Sequence, residues 1–104
     1  MDGKEQFWAL AADWLARDGV TKSTMMGFPC LRRDGAFFAC VHRTGEAMIV
    51  KVSKARVEAL VEAGMGEHFA PNGRVFREWV AIPTELAASW PERLEEAWAF
   101  AEAA

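Results

Sequence analysis

The fold is decided by residues 25–52, which read MMGFPCLRRDGAFFACVHRTGEAMIVKV. Apolar and polar side chains alternate along much of this stretch, and turn-forming pairs interrupt it at Asp34-Gly35 and Thr44-Gly45. A period of two is typical of strands with one buried face, and short glycine-containing turns join antiparallel neighbours. The sequence therefore predicts a three-stranded antiparallel meander. Its strands are Met25–Arg33, Ala36–Arg43 and Glu46–Val52.

Pro29 lies within the first strand of this meander. Proline has no backbone N–H to donate, so in sheets it is confined to edge strands and bulges. We therefore expect the first strand to lie at the edge of the sheet. Because an exposed edge can pair with a second copy of the chain, a homodimer is a further expectation.

Three segments outside the meander have apolar residues at helical spacing. The predicted helices are Asp2–Asp18, residues 53–63 and a segment that begins at Ser89. The last helix begins there because proline is tolerated only in a first helical turn, and Pro91 lies two residues on.

One more strand, Val75–Ile82, is predicted between the last two helices, while Glu67–Ala70 is too short to assign. The resulting order is α-β-β-β-α-β-α. This order predicts an α+β fold, with a mainly antiparallel sheet and helices packed chiefly on one of its faces. We expect a single domain over residues 1–104.

The composition bounds the class of protein. The chain has 104 residues, of which 52% are hydrophobic, and a net charge of −3. Its apolar runs fall far short of the roughly 20 residues that span a bilayer, and its start lacks the pattern of a signal peptide. Two cysteines are too few for a disulfide scaffold, so we expect a cytoplasmic protein with reduced thiols and no membrane partner. The negative charge also argues against nucleic acid as a partner of this domain alone.

Four motifs resemble the N-terminal domain of the TfoX/Sxy family. They are MMGF at 25–28, DGAFFA at 34–39, AGMGEHF at 63–69 and REWVAIP at 77–83. The resemblance covers most of the chain and implies a small α+β domain found in bacterial regulators of natural competence and in stand-alone proteins. In the regulators a helical C-terminal domain follows. This sequence stops at Ala104, so we expect a stand-alone domain without the second one. The family supplies no catalytic residues.

The register of the first hairpin assigns side chains to the two faces of the sheet. A three-residue loop centred on Gly35 places Cys30 opposite Cys40, whereas a two-residue loop would put the two cysteines on different faces. In the three-residue register one face is uniformly apolar and is the expected core. Its residues are Leu31, Phe37, Ala39, Val41, Met48, Val50 and Val52.

The other face of the meander mixes apolar and basic side chains. An apolar patch bordered by charge is where a protein partner tends to bind, so this face is the candidate interaction surface. The alternative is that the N-terminal or C-terminal helix covers its apolar part. The residues of this candidate surface are Phe28, Arg32, Phe38, His42, Ile49 and Lys51.

The residues capable of chemistry form no recognised motif. Cys30 and Cys40 lack Cys-x-x-Cys spacing, and His42 and His68 do not complete a zinc pattern. Buried, reduced thiols are the simplest interpretation of the cysteines, and a cross-strand disulfide is the alternative. We therefore expect no catalytic residue, no metal and no cofactor.

Three hypotheses about function follow from these features. The first is a non-catalytic regulatory or protein-interaction module that acts through the strand face of residues 28–51. The second is a small-molecule-binding domain with an aromatic pocket between helices and sheet. The third is an enzyme, for which the sequence offers only His42 and the two cysteines. Self-association is also open, because residues 21–52 are mainly basic and residues 84–104 mainly acidic.

Overall fold

Two tight turns connect the first strands of the sheet. Met26 and Gly27 have φ angles of 52° and 79°, and Asp34 and Gly35 have φ angles of 48° and 87°. Positive φ at both central residues is the geometry of a type I′ turn, whose twist matches that of antiparallel neighbours. In this computed structural model, which describes residues 2–103, each pair closes a two-residue hairpin.

The described residues form six strands, three α-helices and a 3₁₀ helix at Thr84–Ser89. The strands make one antiparallel sheet in the order β1-β2-β3-β4-β6-β5. The predicted α+β class, with a mainly antiparallel sheet and helices on one face, is confirmed. The strands are β1 (Val20–Met25), β2 (Phe28–Arg33), β3 (Ala36–Val41), β4 (Ala47–Lys51), β5 (Glu67–Phe69) and β6 (Phe76–Pro83). The helices are α1 (Gly3–Leu15), α2 (Lys54–Glu62) and α3 (Trp90–Ala103).

The sheet has two strands, β1 and β5, that the sequence reading did not assign. The Met26-Gly27 turn makes β1 the edge and places β2 inside the sheet. The prediction that Pro29 marks an edge strand is therefore wrong. Pro29 pairs with Thr24 of β1, and the ladder from β2 to β3 begins one residue later. The missing N–H of proline thus falls where that ladder ends, which is a position that does not need a donor.

The three helices pack against one face of the sheet, where most of the core lies. Phe7, Phe38 and Trp90 are fully buried in this helix-side core. Trp14 and Trp98 pack on Phe38, with ring centroids 6.1 and 5.7 Å from its own. Aromatic side chains from the predicted first and last helices therefore fill the space between helices and sheet.

A β-bulge decides which phenylalanine faces the helices. Leu31 pairs with Ala39 and Arg32 pairs with Phe37, which leaves Phe38 as an extra residue on β3. One extra residue reverses the alternation of side chains. Phe38 therefore enters the helix-side core and Phe37 lies on the other face, so the predicted placement of both is wrong. The same bulge restores the predicted pairing of the two cysteines despite a two-residue loop.

The sheet curls strongly on the face opposite the three α-helices, which we call the second face. Phe28 on β2 and Phe69 on β5 have ring centroids 5.9 Å apart. A flat sheet would hold these strands about 19 Å apart, at roughly 4.8 Å per strand. At the single step from His68 to Phe69 the partner on β6 moves from Val80 to Phe76. This large irregularity bends the β5–β6 hairpin over the second face.

Candidate ligand-binding site

The second face carries a small core of its own. It is covered by Phe69 at the end of β5 and Phe76 at the start of β6, whose ring centroids lie 5.7 Å apart. The apolar part of this face is therefore covered by the β5–β6 hairpin and by neither terminal helix. Its β5 strand falls within Glu67–Ala70, the stretch that the sequence left unassigned. The buried residues of this second core are Phe28, Cys30, Cys40, Ile49, Phe69 and Trp79.

The six predicted interaction residues do not form one exposed surface. Phe28 and Ile49 are 3% and 1% exposed and belong to the second core, while Phe38 lies on the helix side. The expectation of an exposed apolar patch is therefore wrong, because the curl of the sheet buries it. The remaining three residues are half-buried. They are Arg32, His42 and Lys51.

These three residues lie toward opposite ends of the second face. Arg32 packs against Phe37, with its guanidinium carbon 4.3 Å from the ring centroid. Lys51 on β4 lies opposite Trp79 on β6 in the strand register. His42 lies at the other end, where its ring centroid is 4.8 Å from that of Phe28. The structure therefore separates a basic end from a histidine end.

A half-open cleft of about 390 Å³ lies at the histidine end of the second face. The β3–β4 hairpin, β5 and the 3₁₀ helix line it, so residues distant in sequence meet there. Its apolar side chains are Ala47, Ile49, Phe69, Ala70, Pro71, Ala81 and Pro83. Its polar side chains are His42, Glu46, Glu67, Thr84 and Glu85.

His42 is held by its own turn. The backbone N–H of Thr44 donates to His42 Nδ1 at 3.2 Å, and Thr44 Oγ1 lies 2.8 Å from the same nitrogen. Because Nδ1 accepts from that backbone N–H, the proton of the neutral ring belongs on Nε2. Glu46 Oε1 lies 3.2 Å from Nδ1 and forms an ion pair only when the ring is protonated. Nε2 is thus the ring nitrogen left to form a hydrogen bond with a ligand.

The cleft carries three carboxylates from three separate segments, namely Glu46, Glu67 and Glu85. All three are exposed. Within residues 2–103, Glu46 has only His42 as a basic neighbour within 4 Å, and Glu67 and Glu85 have none. The rim of the cleft is therefore acidic and largely uncompensated.

The glutamates of α3 show the opposite arrangement. Glu95 pairs with Arg17 at 3.4 Å, and Glu102 pairs with Arg33 at 3.6 Å. Glu96 accepts from Arg56 at 2.6 Å. The acidic C-terminal segment therefore meets basic residues of its own chain. This weakens the argument from charge alone for self-association through these segments.

Cys30 and Cys40 lie directly opposite each other on β2 and β3, as predicted, and both are free, buried thiols. Burial raises the pKa of the Cys30 thiol, and the positive charge of Arg32 opposes this in part. Burial raises the pKa of Cys40 strongly, and the neighbouring Cys30 adds to the effect. Protonated, enclosed thiols are poor nucleophiles and poor metal ligands.

Within residues 2–103, no cluster of three histidine, cysteine or acidic side chains is arranged to hold a metal ion. None of the helices in the described part of the chain is long and apolar enough to cross a membrane. Comparison of the chain with protein-family models, with curated proteins and with solved structures found no match. The relation to the TfoX/Sxy family therefore stays a prediction.

Sequence reasoning missed the acidic rim of the cleft. Glu46 lies in a turn, Glu67 begins a three-residue strand and Glu85 lies in a 3₁₀ helix. Each is an ordinary surface residue in its own segment. Only the strand order β4-β6-β5 and the curl of the sheet bring them together, and no local pattern encodes that.

Proposed function

We propose that this chain is a non-catalytic binding module and that its ligand site is the cleft at the histidine end of the second face. The observation that carries the proposal is a concave surface with an apolar floor and a polar rim, on the sheet face opposite the α-helices. Binding sites typically combine apolar walls with a few polar groups that fix the orientation of the ligand. The engaged Nδ1 of His42 and the protonated cysteines favour binding over catalysis.

A protein partner fits this cleft better than an enclosed small molecule does. Pockets for drug-sized ligands bury roughly 70–90% of the ligand surface, whereas this cleft is open along one side. The space between helices and sheet, where an aromatic pocket was the alternative prediction, is filled by Phe7, Phe38 and Trp90. A small-molecule ligand therefore remains the second candidate, and its site would be the same cleft.

A regulatory role, a bacterial origin and a cytoplasmic location follow from the family resemblance and from the composition, and they stay predictions. Self-association is a further proposal, which β1 supports because it is a six-residue edge strand. Native mass spectrometry of the whole chain at two salt concentrations would measure the oligomeric state directly. A bare monomer at every concentration used would contradict self-association.

The test of the proposed site is a change that fills the cleft without changing its charge. Ala81→Leu adds a larger side chain to the floor, and the matched control Ala55→Leu adds the same atoms to the exposed surface of α2. A panel of small amides, amines, acids and aromatic compounds is titrated against the chain by 1H–15N NMR. We expect the strongest shifts at Ile49, Glu67 and Ala81, and about tenfold weaker binding in Ala81→Leu only.

Two results would overturn the site. One is a set of shifts centred on another surface, such as the apolar groove of Leu10, Ala87 and Trp90 between α1 and the start of α3. The other is binding that Ala81→Leu and Ala55→Leu leave equally unchanged, in variants whose spectra show that both are folded.

A further inference from the structure

The charge of the cleft selects its ligand. Its rim carries Glu46, Glu67 and Glu85, and in the described residues two of these have no basic side chain within 4 Å. On α3, by contrast, the glutamates meet basic side chains, as Glu96 meets Arg56. An uncompensated acidic rim attracts a positive group and repels an anionic one.

The floor of the cleft adds a second requirement. Ile49 and Phe69 are 1% and 5% exposed, and Pro71 and Pro83 border them with rings that have little conformational freedom. Lysine and arginine carry a charged head on an apolar stem, and they lay that stem along apolar surface while the head stays near water. The cleft offers both environments within one cavity.

A segment that pairs with the edge of the sheet would place such a side chain in the cleft. β5 is the terminal strand of the sheet, and Glu67 and Phe69 both line the cleft. An extended segment that pairs with an edge strand places alternate side chains on the same face as those of the strand. A basic residue at the right register would then lie over the cleft, beside Glu67.

We propose, on the basis of the binding function above, that the cleft holds a lysine or arginine side chain of a protein partner whose extended segment pairs with the free edge of β5. The ligand class is thus a basic, extended segment. The main chain of the partner bonds to β5, its basic side chain enters the cleft, and its charged head faces Glu67 and Glu85.

The probe for this proposal is the peptide acetyl-TVRVT-amide, compared with the same peptide in which citrulline replaces arginine. Citrulline keeps the shape of arginine and removes its charge. We expect saturable 1H–15N shifts at Glu67, Phe69 and Ala81 with the arginine peptide, and weaker binding of the citrulline peptide. We also expect affinity to fall as salt is raised from 20 to 500 mM, values chosen to shorten the Debye length by several fold.

Matched charge variants locate the effect. Glu67→Gln with Glu85→Gln removes the two rim carboxylates that have no basic side chain within 4 Å among the described residues. Each change should weaken binding of the arginine peptide roughly two- to fivefold. The control pair, Glu58→Gln with Glu62→Gln, removes the same charge from the exposed side of α2 and should leave affinity within about twofold.

Each remaining outcome overturns a definite part of the proposal. Equal binding of the citrulline peptide would reject the cationic ligand and leave the binding cleft standing. Binding of n-butylguanidinium as tight as that of the peptide would reject pairing with β5 and assign the site to a free organic cation. If no peptide and no small compound shifts the cleft residues, the proposed function fails as well.

Discussion

The two faces of the sheet are closed by different means. The helix side is covered by three helices whose aromatic and aliphatic side chains interlock with the strands. The second face is covered by the curl of the sheet itself and by one hairpin that starts from a three-residue strand. One sheet therefore supports a large core on one side and a small one on the other.

This difference separates stability from binding. Regions with few buried apolar contacts open locally at a lower free-energy cost than the main core, and binding sites are drawn from such regions. Phe69 belongs to the hairpin that covers the second face, and its side chain also lines the cleft. Adaptation to a ligand there does not require the helix-side core to move.

The strongest test of this comparison is to remove one phenylalanine from each face. Phe38→Ala should lower the free energy of unfolding by roughly 3–5 kcal/mol, because Phe38 is fully enclosed by Trp14 and Trp98. Phe69→Ala should cost only about 2 kcal/mol, because an edge hairpin can collapse into the space that is left. Urea denaturation followed by tryptophan fluorescence measures both values.

The same pair of variants should differ in local opening. In Phe69→Ala the thiols of Cys30 and Cys40 should react with a thiol reagent much faster than in the wild-type chain, while α3 keeps its hydrogen-exchange protection. Equal costs for the two variants, or a loss of protection in α3 of Phe69→Ala, would show that the faces form one cooperative unit.

The pH dependence of stability tests whether the second core is dry. Burial raises the pKa of both thiols above the ordinary value of 9.0. Their contribution to stability is therefore complete below pH 9 and is lost as pH rises above it. The free energy of unfolding should therefore fall by about 1 kcal/mol between pH 9 and 10 through Cys40, and Cys30 should add a fall of the same sign.

A double variant provides the control for this titration. Cys30→Ala with Cys40→Ala should remove the fall between pH 9 and 10, and the chain has no tyrosine to titrate in that window. Chemical denaturation in the presence of a reductant measures both proteins. A wild-type curve as flat as that of the double variant would mean that water reaches the thiols.

The sequence predicted the helix side better than the second face, and the reason is physical. The apolar residues at helical spacing in the first and last predicted helices include Trp14, Trp90 and Trp98, and strand alternation placed Leu31 and Val50 in the core. All five lie in or against the helix-side core, because local periodicity reports which side is buried. The register of the second hairpin also follows from local turn chemistry. The predicted strands end at Arg43 and begin again at Glu46, and a turn of two residues between them agrees with the observed pairing of Cys40 with Ile49.

The errors fall where a single residue changes the geometry. The Met26-Gly27 turn falls inside the predicted strand Met25–Arg33, and the extra residue at Phe38 reverses the alternation on β3. Neither feature alters the hydrophobic pattern enough to be seen in the sequence. The cleft was beyond reach for another reason, since Glu67 and Glu85 meet only through the order and curl of strands that are distant in sequence.

The smallest expected effect concerns Arg33 of β2, whose contacts with Trp98 and Glu102 of α3 we call the clamp. The guanidinium carbon of Arg33 lies 3.7 Å from the ring centroid of Trp98, and Arg33 Nη1 donates to the Trp98 carbonyl at 2.8 Å. Arg33 Nη2 also lies 3.6 Å from Glu102 Oε1. Lysine cannot stack a planar group on the ring while bonding to the carbonyl. Arg33→Lys should therefore lower the free energy of unfolding by about 1 kcal/mol.

Hydrogen exchange distinguishes this clamp from a general loss of stability. In Arg33→Lys the amides of α3 should exchange faster, while the β5–β6 hairpin on the second face keeps its wild-type rates. The control Arg77→Lys changes an exposed arginine of β6 and should leave stability within about 0.5 kcal/mol of the wild type. Faster exchange in the hairpin as well would show that α3 supports both faces, and the contrast between them would then be lost.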